Sequence, residues 1–231
     1  MTSQKTLRSL NVIFVGPCRD KAGEDRSTAT ARQWCPDPVT CWNTGGSEIA
    51  SSRCALGAIV ATGMPSDTDI VVMLDDDVRP TPVDLIGIIG RAACDPISPV
   101  VVCSYALRLP PGREGQDERI AHYVTDRFVF GGLGCVAMTA ARFRFIHLGD
   151  GTQQLVKVHK TLPPSTAPYR VGVYDDVWLS EDLYFFRNLH RLGIPTVLYP
   201  TCAAHGHTRV SRRFKMLDGS PLLSSLIVDE A

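Results

Sequence analysis

The chain has 231 residues, with 24 Lys plus Arg against 24 Asp plus Glu, 44% hydrophobic residues and 21% charged ones. A formal charge of zero leaves no global basic field for gripping nucleic acid, and the ordinary globular composition excludes a disordered or fibrous chain. No apolar run is long enough to span a bilayer and no signal-peptide-like segment opens the sequence, so a cytoplasmic protein is expected.

Residues 10–15 read as a short buried strand stopped by Gly16-Pro17. A polar loop region follows to about Gly46, with a short helix expected near residues 28–34. Ser47 is placed to cap a helix reaching residue 62, with Ile49, Ala50, Cys54, Ala55, Ala58 and Ile59 as its apolar stripe. Residues 69–74 form the second expected strand. Pro82 starts a helix that continues to residue 93, and residues 100–105 form a third strand. This alternation predicts an α/β fold, its sheet mostly parallel and wound with right-handed crossovers.

A charged loop begins at Pro110-Pro111-Gly112. Residues 127–130 read as a strand, followed by Gly131-Gly132-Leu133-Gly134, an apolar run over 135–138 and a helix over 140–147. Residues 150–171 are loop, rich in Pro and Thr. Ser180 caps a helix over 181–192 that Gly193 stops, and residues 196–199 form the last strand. No internal repeat and no linker is visible, so one domain is expected. The short basic run Arg212-Arg213-Phe214-Lys215 reads as solvated surface.

Eight cysteines are scattered without a CxxC pair. Cys54, Cys103, Cys135 and Cys202 lie in apolar runs and are expected to be small core residues. Cys35 and Cys41 flank a loop that lacks the further ligands a zinc site needs.

Three segments carry chemistry. The first is Asp75-Asp76-Asp77, directly after the apolar run Ile70-Val71-Val72-Met73-Leu74. Adjacent carboxylates repel, and oxygen-only ligands at the C-terminal edge of a parallel sheet suit Mg²⁺ or Mn²⁺ carrying a phosphorylated substrate. Asp76 should point away from Asp75 and Asp77 by strand alternation. The second is Glu181-Asp182 in the first turn of a helix, where the dipole favours negative charge. One of the pair can serve as a base, with Trp178 and Leu183 restricting water around it. The third is His205-Gly206-His207 after the last strand, at the same sheet edge as the aspartates. The glycine-rich Gly131-Gly132-Leu133-Gly134 permits close backbone approach to a sugar or phosphate.

The order of these segments carries a resemblance. A strand ending in Gly16-Pro17 comes first, then Ser47-x-Ile49-Ala50-x-x-Arg53, then Leu74-Asp75-Asp76-Asp77 and Gly132-Leu133-Gly134-Cys135. Ser180-Glu181-Asp182-Leu183-x-Phe185, Gly193-Ile194-Pro195, a strand and Gly206-His207 complete it. Over roughly residues 10–208 the chain resembles the GT-A glycosyltransferases, in style closest to their family 2. The resemblance implies a single GT-A-type domain with a nucleotide-binding part over about 8–107, an acceptor and catalytic part over 108–210, and a tail over 211–231.

It also implies a metal-dependent, inverting transfer of a sugar from a nucleotide-sugar donor to an acceptor hydroxyl. The acceptor would be a glycan, a small molecule, a protein or a modified DNA base. Asp75 and Asp77 would match the ends of the DxD motif, with Mn²⁺ or Mg²⁺ on Asp77 and Asp75 and with Asp75 and Asp76 beside the nucleotide. Asp182 would be the base, with Glu181 beside it. His207 would be the Gly-His metal or diphosphate ligand, with His205 in reserve. Arg53 would meet the diphosphate, Pro17 and Arg19 the base, and Gly132 and Gly134 the sugar phosphate. The loop from Arg19 to Gly46 departs from the family pattern and leaves the nucleotide unassigned. A phosphotransferase of the haloacid dehalogenase type and a non-catalytic metal- or nucleotide-binding module are the alternatives.

Overall fold

The computed structural model describes residues 10–44, 48–63, 66–105, 122–124, 129–157 and 161–205. Its centre is a seven-stranded sheet in the spatial order β2-β1-β3-β8-β5-β11-β4. These strands are β1 (Val12–Cys18), β2 (Val39–Thr44), β3 (Ile70–Leu74), β4 (Val78–Arg79), β5 (Val100–Tyr105), β8 (Cys135–Thr139) and β11 (Thr196–His205). β1 runs parallel to β2 and β3, and β5 parallel to β11; β8 is inserted antiparallel between β3 and β5, and β4 caps the far edge antiparallel to β11. Two small hairpins lie outside this sheet: β6 (His122–Val124) with β7 (Val129–Gly131), and β9 (Gly172–Tyr174) with β10 (Val177–Leu179). The expected α/β fold with a mostly parallel sheet flanked by helices is the observed one.

The β3 strand shows how the sheet divides the core. All five of its residues are buried. Val71 and Met73 join the cluster built with α2 (Ile49–Gly63), α4 (Ala140–Leu148) and α5 (Glu181–Arg191), while Ile70, Val72 and Leu74 join the cluster of α1 (Lys21–Ala31) and α3 (Pro82–Cys94). A strand covered on both faces must be apolar at every position, which is why this one reads as an unbroken run. The alternation persists just past its end. Asp75 turns toward α2 and Asp76 toward α1, as their partners show.

Local signals hold the helix ends. Thr81 and Asp84 form a reciprocal capping box on α3, with Pro82 in the first turn. Ser180 Oγ accepts from Leu183 N–H at the start of α5, and Gly193 ends that helix with φ +67°.

Several expectations change. Strand β1 does not stop at Gly16-Pro17 but runs to Cys18. Its pairing with β3 ends at Val15, so beyond that point the missing Pro17 N–H leaves no ladder bond unmade on that side. The described part of the expected loop region, Arg19 to Thr44, holds α1, which starts earlier than the short helix expected near 28–34, and the edge strand β2. Helix α1 escapes hydrophobic pattern reading because its buried positions are Gly23, Ser27, Thr30 and Ala31. Ile49 and Ile59 are exposed, whereas Leu56, Val60 and Ala61 face the core. The β9–β10 hairpin was not expected, and β11 is longer than the expected strand over 196–199. Cys54, Cys103 and Cys135 are buried as expected, and among the described residues no Cys or His cluster can hold a metal. The side chain of Cys202 and the run Arg212 to Lys215 lie outside the described residues.

One close approach sets the α2–α4 packing. Any Cβ on Gly57 would overlap the imidazole of His147, which is fully buried. Burial holds that imidazole neutral, with its pKa pushed down to about 3, and Tyr169 Oη lies 3.3 Å from its Nε2. Gly57→Ala should therefore destabilise the fold by about 1–3 kcal/mol through overpacking. Urea denaturation checks this, and an unchanged midpoint would mean that the two helices can separate at no cost.

Candidate functional site

The site is assembled by Arg53, which projects from α2 and is almost wholly buried. Its Nη2 donates to both carboxylate oxygens of Asp75, at 2.8 and 2.7 Å. Its Nη1 donates to Glu181 at 3.1 Å and to Asp182 at 3.3 Å. One guanidinium therefore ties the end of β3 to the first turn of α5, and three carboxylates share one positive charge. Burial opposes the charge on Arg53, but Asp75, Asp182 and Glu181 outweigh it and raise the guanidinium pKa above its ordinary value.

The expectation that Arg53 meets a diphosphate is corrected here. With a side chain 3% exposed and both terminal nitrogens on carboxylates, it is a structural bridge within the site. The glycine-rich loop is corrected in the same sense. Gly134 C=O accepts from Asp75 N–H at 3.0 Å and the Leu133 N–H favours the ionised form of Asp182, so this loop, with buried Gly132 in it, supports the acids rather than forming an open phosphate cradle.

Asp182 is the most perturbed carboxyl group of the cluster. Its pKa is raised from 3.8 to about 7, first by burial and then by Glu181 and Asp75; Arg53 and the Leu133 N–H oppose the rise. About 30% of the side chain still reaches solvent. A carboxyl group poised near neutrality with an open approach suits a general base. The expected shielding by Trp178 does not occur, because Trp178 is 66% exposed on β10.

The other two aspartates face a second surface. Asp75 to Val78 form a turn closed by Val78 N–H on Asp75 C=O. Asp76 is buried against α1, where it accepts from Arg19 N–H at 3.1 Å and pairs with Arg26 at 3.6 Å. Gly23 is required there, since a Cβ would strike the Asp76 carboxylate. Asp76 thus anchors α1; it departs from Asp75 as expected but not from Asp77, because the strand has ended and both Asp76 and Asp77 pair with Arg19. Asp77 accepts from Arg19 Nη2 at 2.7 Å.

A cleft of about 320 Å³ opens over these residues. Asp75, Asp76 and Asp77 form one wall, and Pro17, Cys18 and Arg19 another. Asn43, Ile49 and Ser52 complete it and were missed by sequence reasoning. Asn43 sits on β2, whose Val-Thr-Cys-Trp-Asn-Thr run is rich in β-formers and was the available signal.

Among the described residues no group of three or more His, Cys, Asp or Glu side chains is arranged to hold a metal ion. Backbone register sets His205 opposite Val78, next in sequence to Asp77, so the last strand does end at the aspartate edge. The side chain of His205 and all of His207 lie outside the described residues. No helix among the described residues is long and apolar enough to cross a membrane.

No known protein family and no curated protein matches the sequence. Among solved structures, the chain is similar to A197 from STIV, at 15% identity and a TM-score of 0.47, over 96% of this chain and 98% of that one. So distant a likeness says nothing about the activity.

Proposed function

We propose that the protein is a glycosyltransferase of the GT-A type. It would use a divalent cation and move a sugar from a nucleotide-sugar donor to an acceptor hydroxyl with inversion. The observation that carries this reading is the Arg53 bridge. It joins an aspartate that lines the cleft, Asp75, to a carboxyl group poised near neutrality, Asp182, which lies 129 positions beyond Arg53 in the sequence. A donor site and a base must be neighbours for direct transfer, and the link that Arg53 makes between Asp75 and Asp182 supports this reading.

The cleft residues fit a Mg²⁺ or Mn²⁺ ion that takes most of its ligands from phosphate and water, because such ions need only one or two protein carboxylates. Asp77 would hold it, giving up its ion pair with Arg19 to do so, with Asp75 adjacent. When bound, the cation offsets the charge that grows on the departing diphosphate. Asp182 takes the proton of the acceptor hydroxyl. Arg53 and the Leu133 N–H favour the ionised form of Asp182, and Glu181 accepts from the same Arg53 nitrogen. A haloacid dehalogenase-type reaction would need an Asp75 oxygen free to attack phosphorus, and both oxygens accept from Arg53.

Two measurements test this. A panel of nucleotide sugars should reveal metal-dependent donor hydrolysis for one of them, and inactivity toward all would remove the reading. Asp77→Ala should abolish Mn²⁺-dependent binding of the matching nucleoside diphosphate, followed by calorimetry. Undiminished binding would take the cation away from Asp77.

A further inference from the structure

Two arginines reach the aspartates at the end of β3, and they are held in opposite ways. Arg53, 3% exposed, is fixed between Asp75 and the α5 acids. The Arg19 side chain is 55% exposed; its Nη2 donates to Asp77 at 2.7 Å and its Nε lies 3.9 Å from Asp76. The main chain of Arg19, by contrast, is pinned. It links β1, which ends at Cys18, to Asp20, the cap of α1. Its N–H donates to Asp76 at 3.1 Å, and Asp20 Oδ1 accepts from Gly23 N–H at 2.8 Å. A guanidinium on a fixed stem thus lies over Asp77 in a pair that water reaches. Such pairs exchange readily, because solvation offsets most of the attraction.

Charge decides what this side chain can do. Among the described residues that line the cleft, Asp75, Asp76 and Asp77 are acidic and Arg19 alone is basic. Arg53 balances Asp75, Arg26 pairs with Asp76 at 3.6 Å, and Arg19 balances Asp77. A diphosphate entering this cleft meets like charge, which a cation has to offset. A divalent cation on Asp77 supplies that charge and at the same moment displaces the Arg19 guanidinium. The displaced group finds its match in the diphosphate, since its planar fork pairs with phosphate oxygens two at a time. Each event alone is opposed. A cation without diphosphate sends the guanidinium to water, and a diphosphate without a cation draws Arg19 away and leaves Asp77 facing phosphate.

We propose that Arg19 is an exchangeable counter-ion that couples the two halves of the donor site: it holds Asp77 in the free protein and passes to the diphosphate when a divalent cation takes Asp77. This rests on the glycosyltransferase reading and adds how donor binding is controlled. Cation and diphosphate each bind more tightly in the presence of the other. The contact expected between Arg19 and the nucleotide base is replaced by this one. Arg19 is a positioning residue and takes no part in the chemical step.

The test is a pair of titrations on the full chain. Electron paramagnetic resonance counts free Mn²⁺ against the wild type and Arg19→Gln with no nucleotide present. The variant should bind Mn²⁺ about three- to tenfold more tightly, because no guanidinium competes for Asp77. Calorimetry then follows UDP, GDP, CDP, ADP and dTDP in saturating Mn²⁺. The nucleotide that the wild type binds should bind Arg19→Gln about tenfold more weakly, the loss of one charge-assisted pair. Arg26→Gln is the control for charge alone. It removes the same charge from beside Asp76, and its Mn²⁺ affinity should stay within about twofold of the wild type. Both side chains are substantially exposed, so both variants should keep the wild-type denaturation midpoint. If the wild type binds a nucleoside diphosphate but Arg19→Gln gains nothing toward Mn²⁺, the exchange is wrong and the donor reading stands. An equal gain in Arg26→Gln would reduce the effect to general charge and also overturn the exchange. If the wild type binds none of these nucleotides, the donor reading falls and the coupling falls with it.

Discussion

Asp182→Asn is expected to leave nucleoside diphosphate affinity unchanged while lowering turnover by roughly two to four orders of magnitude, the usual contribution of a positioned base. The pH dependence makes this specific. The Asp182 pKa is raised to about 7, chiefly by burial. A base acts only when ionised, so the wild-type rate should rise with pH and level off above about 7, and the variant should lose that limb. The same shift has a consequence for stability. The folded pKa lies above the ordinary 3.8, so the favourable contribution of the protonated group is fully present at low pH. It is lost as pH rises through about 7. Asp182→Asn should therefore be more resistant to urea than the wild type in mildly alkaline buffer, an advantage that disappears in acid. Full turnover in the variant would move the base to Glu181, and full turnover in Glu181→Gln as well would remove α5 from the chemistry.

Arg53→Met is expected to cost about 2–3 kcal/mol of folding stability, because it leaves three partly buried carboxylates without their cation. The site shows why the cost should be large. Asp75, Glu181 and Asp182 all accept from this one guanidinium, whose side chain is 3% exposed. Urea denaturation at neutral pH measures the loss, and part of it should return in acid as the carboxyl groups protonate. Arg53→Lys should rescue only a fraction, since a single ammonium cannot serve Asp75 with one nitrogen and the α5 acids with another. Where either variant folds, the Asp182-dependent limb of the rate should differ. It moves to higher pH in Arg53→Met, because Arg53 lowers the Asp182 pKa. A purely structural role would leave that limb in place. A loss below about 1 kcal/mol would mean that solvent, not Arg53, balances these charges.

The two variants separate what local sequence can disclose from what it cannot. Ser180, Glu181 and Asp182 announce a capped helix with an acidic first turn, and Ile70 to Leu74 announce a strand buried on both faces. These are short-range patterns, fixed by hydrogen-bond periodicity and by burial, and they survive into the fold almost residue for residue. The role of Arg53 is not of that kind. A basic residue on a helix before an aspartate cluster reads equally well as a ligand for phosphate or as a counter-ion for carboxylates. Only the approach of α5, more than a hundred residues downstream, fills its second nitrogen.

By itself the sequence determined an α/β chain with a mostly parallel sheet and placed Asp75 to Asp77 and Glu181-Asp182 at the ends of their elements. It also brought the last strand to the aspartate edge, as the His205–Val78 register shows. The tertiary structure alone decided that Asp76 anchors α1, that the glycine-rich loop braces Asp75 and Asp182, and that Trp178 faces solvent instead of covering the base. The reason is one of range. Strand and helix periodicity is set by neighbours a few residues away. The partner of a charge or the cover of an indole is set by segments brought together across the sheet, and identical local patterns are compatible with either outcome.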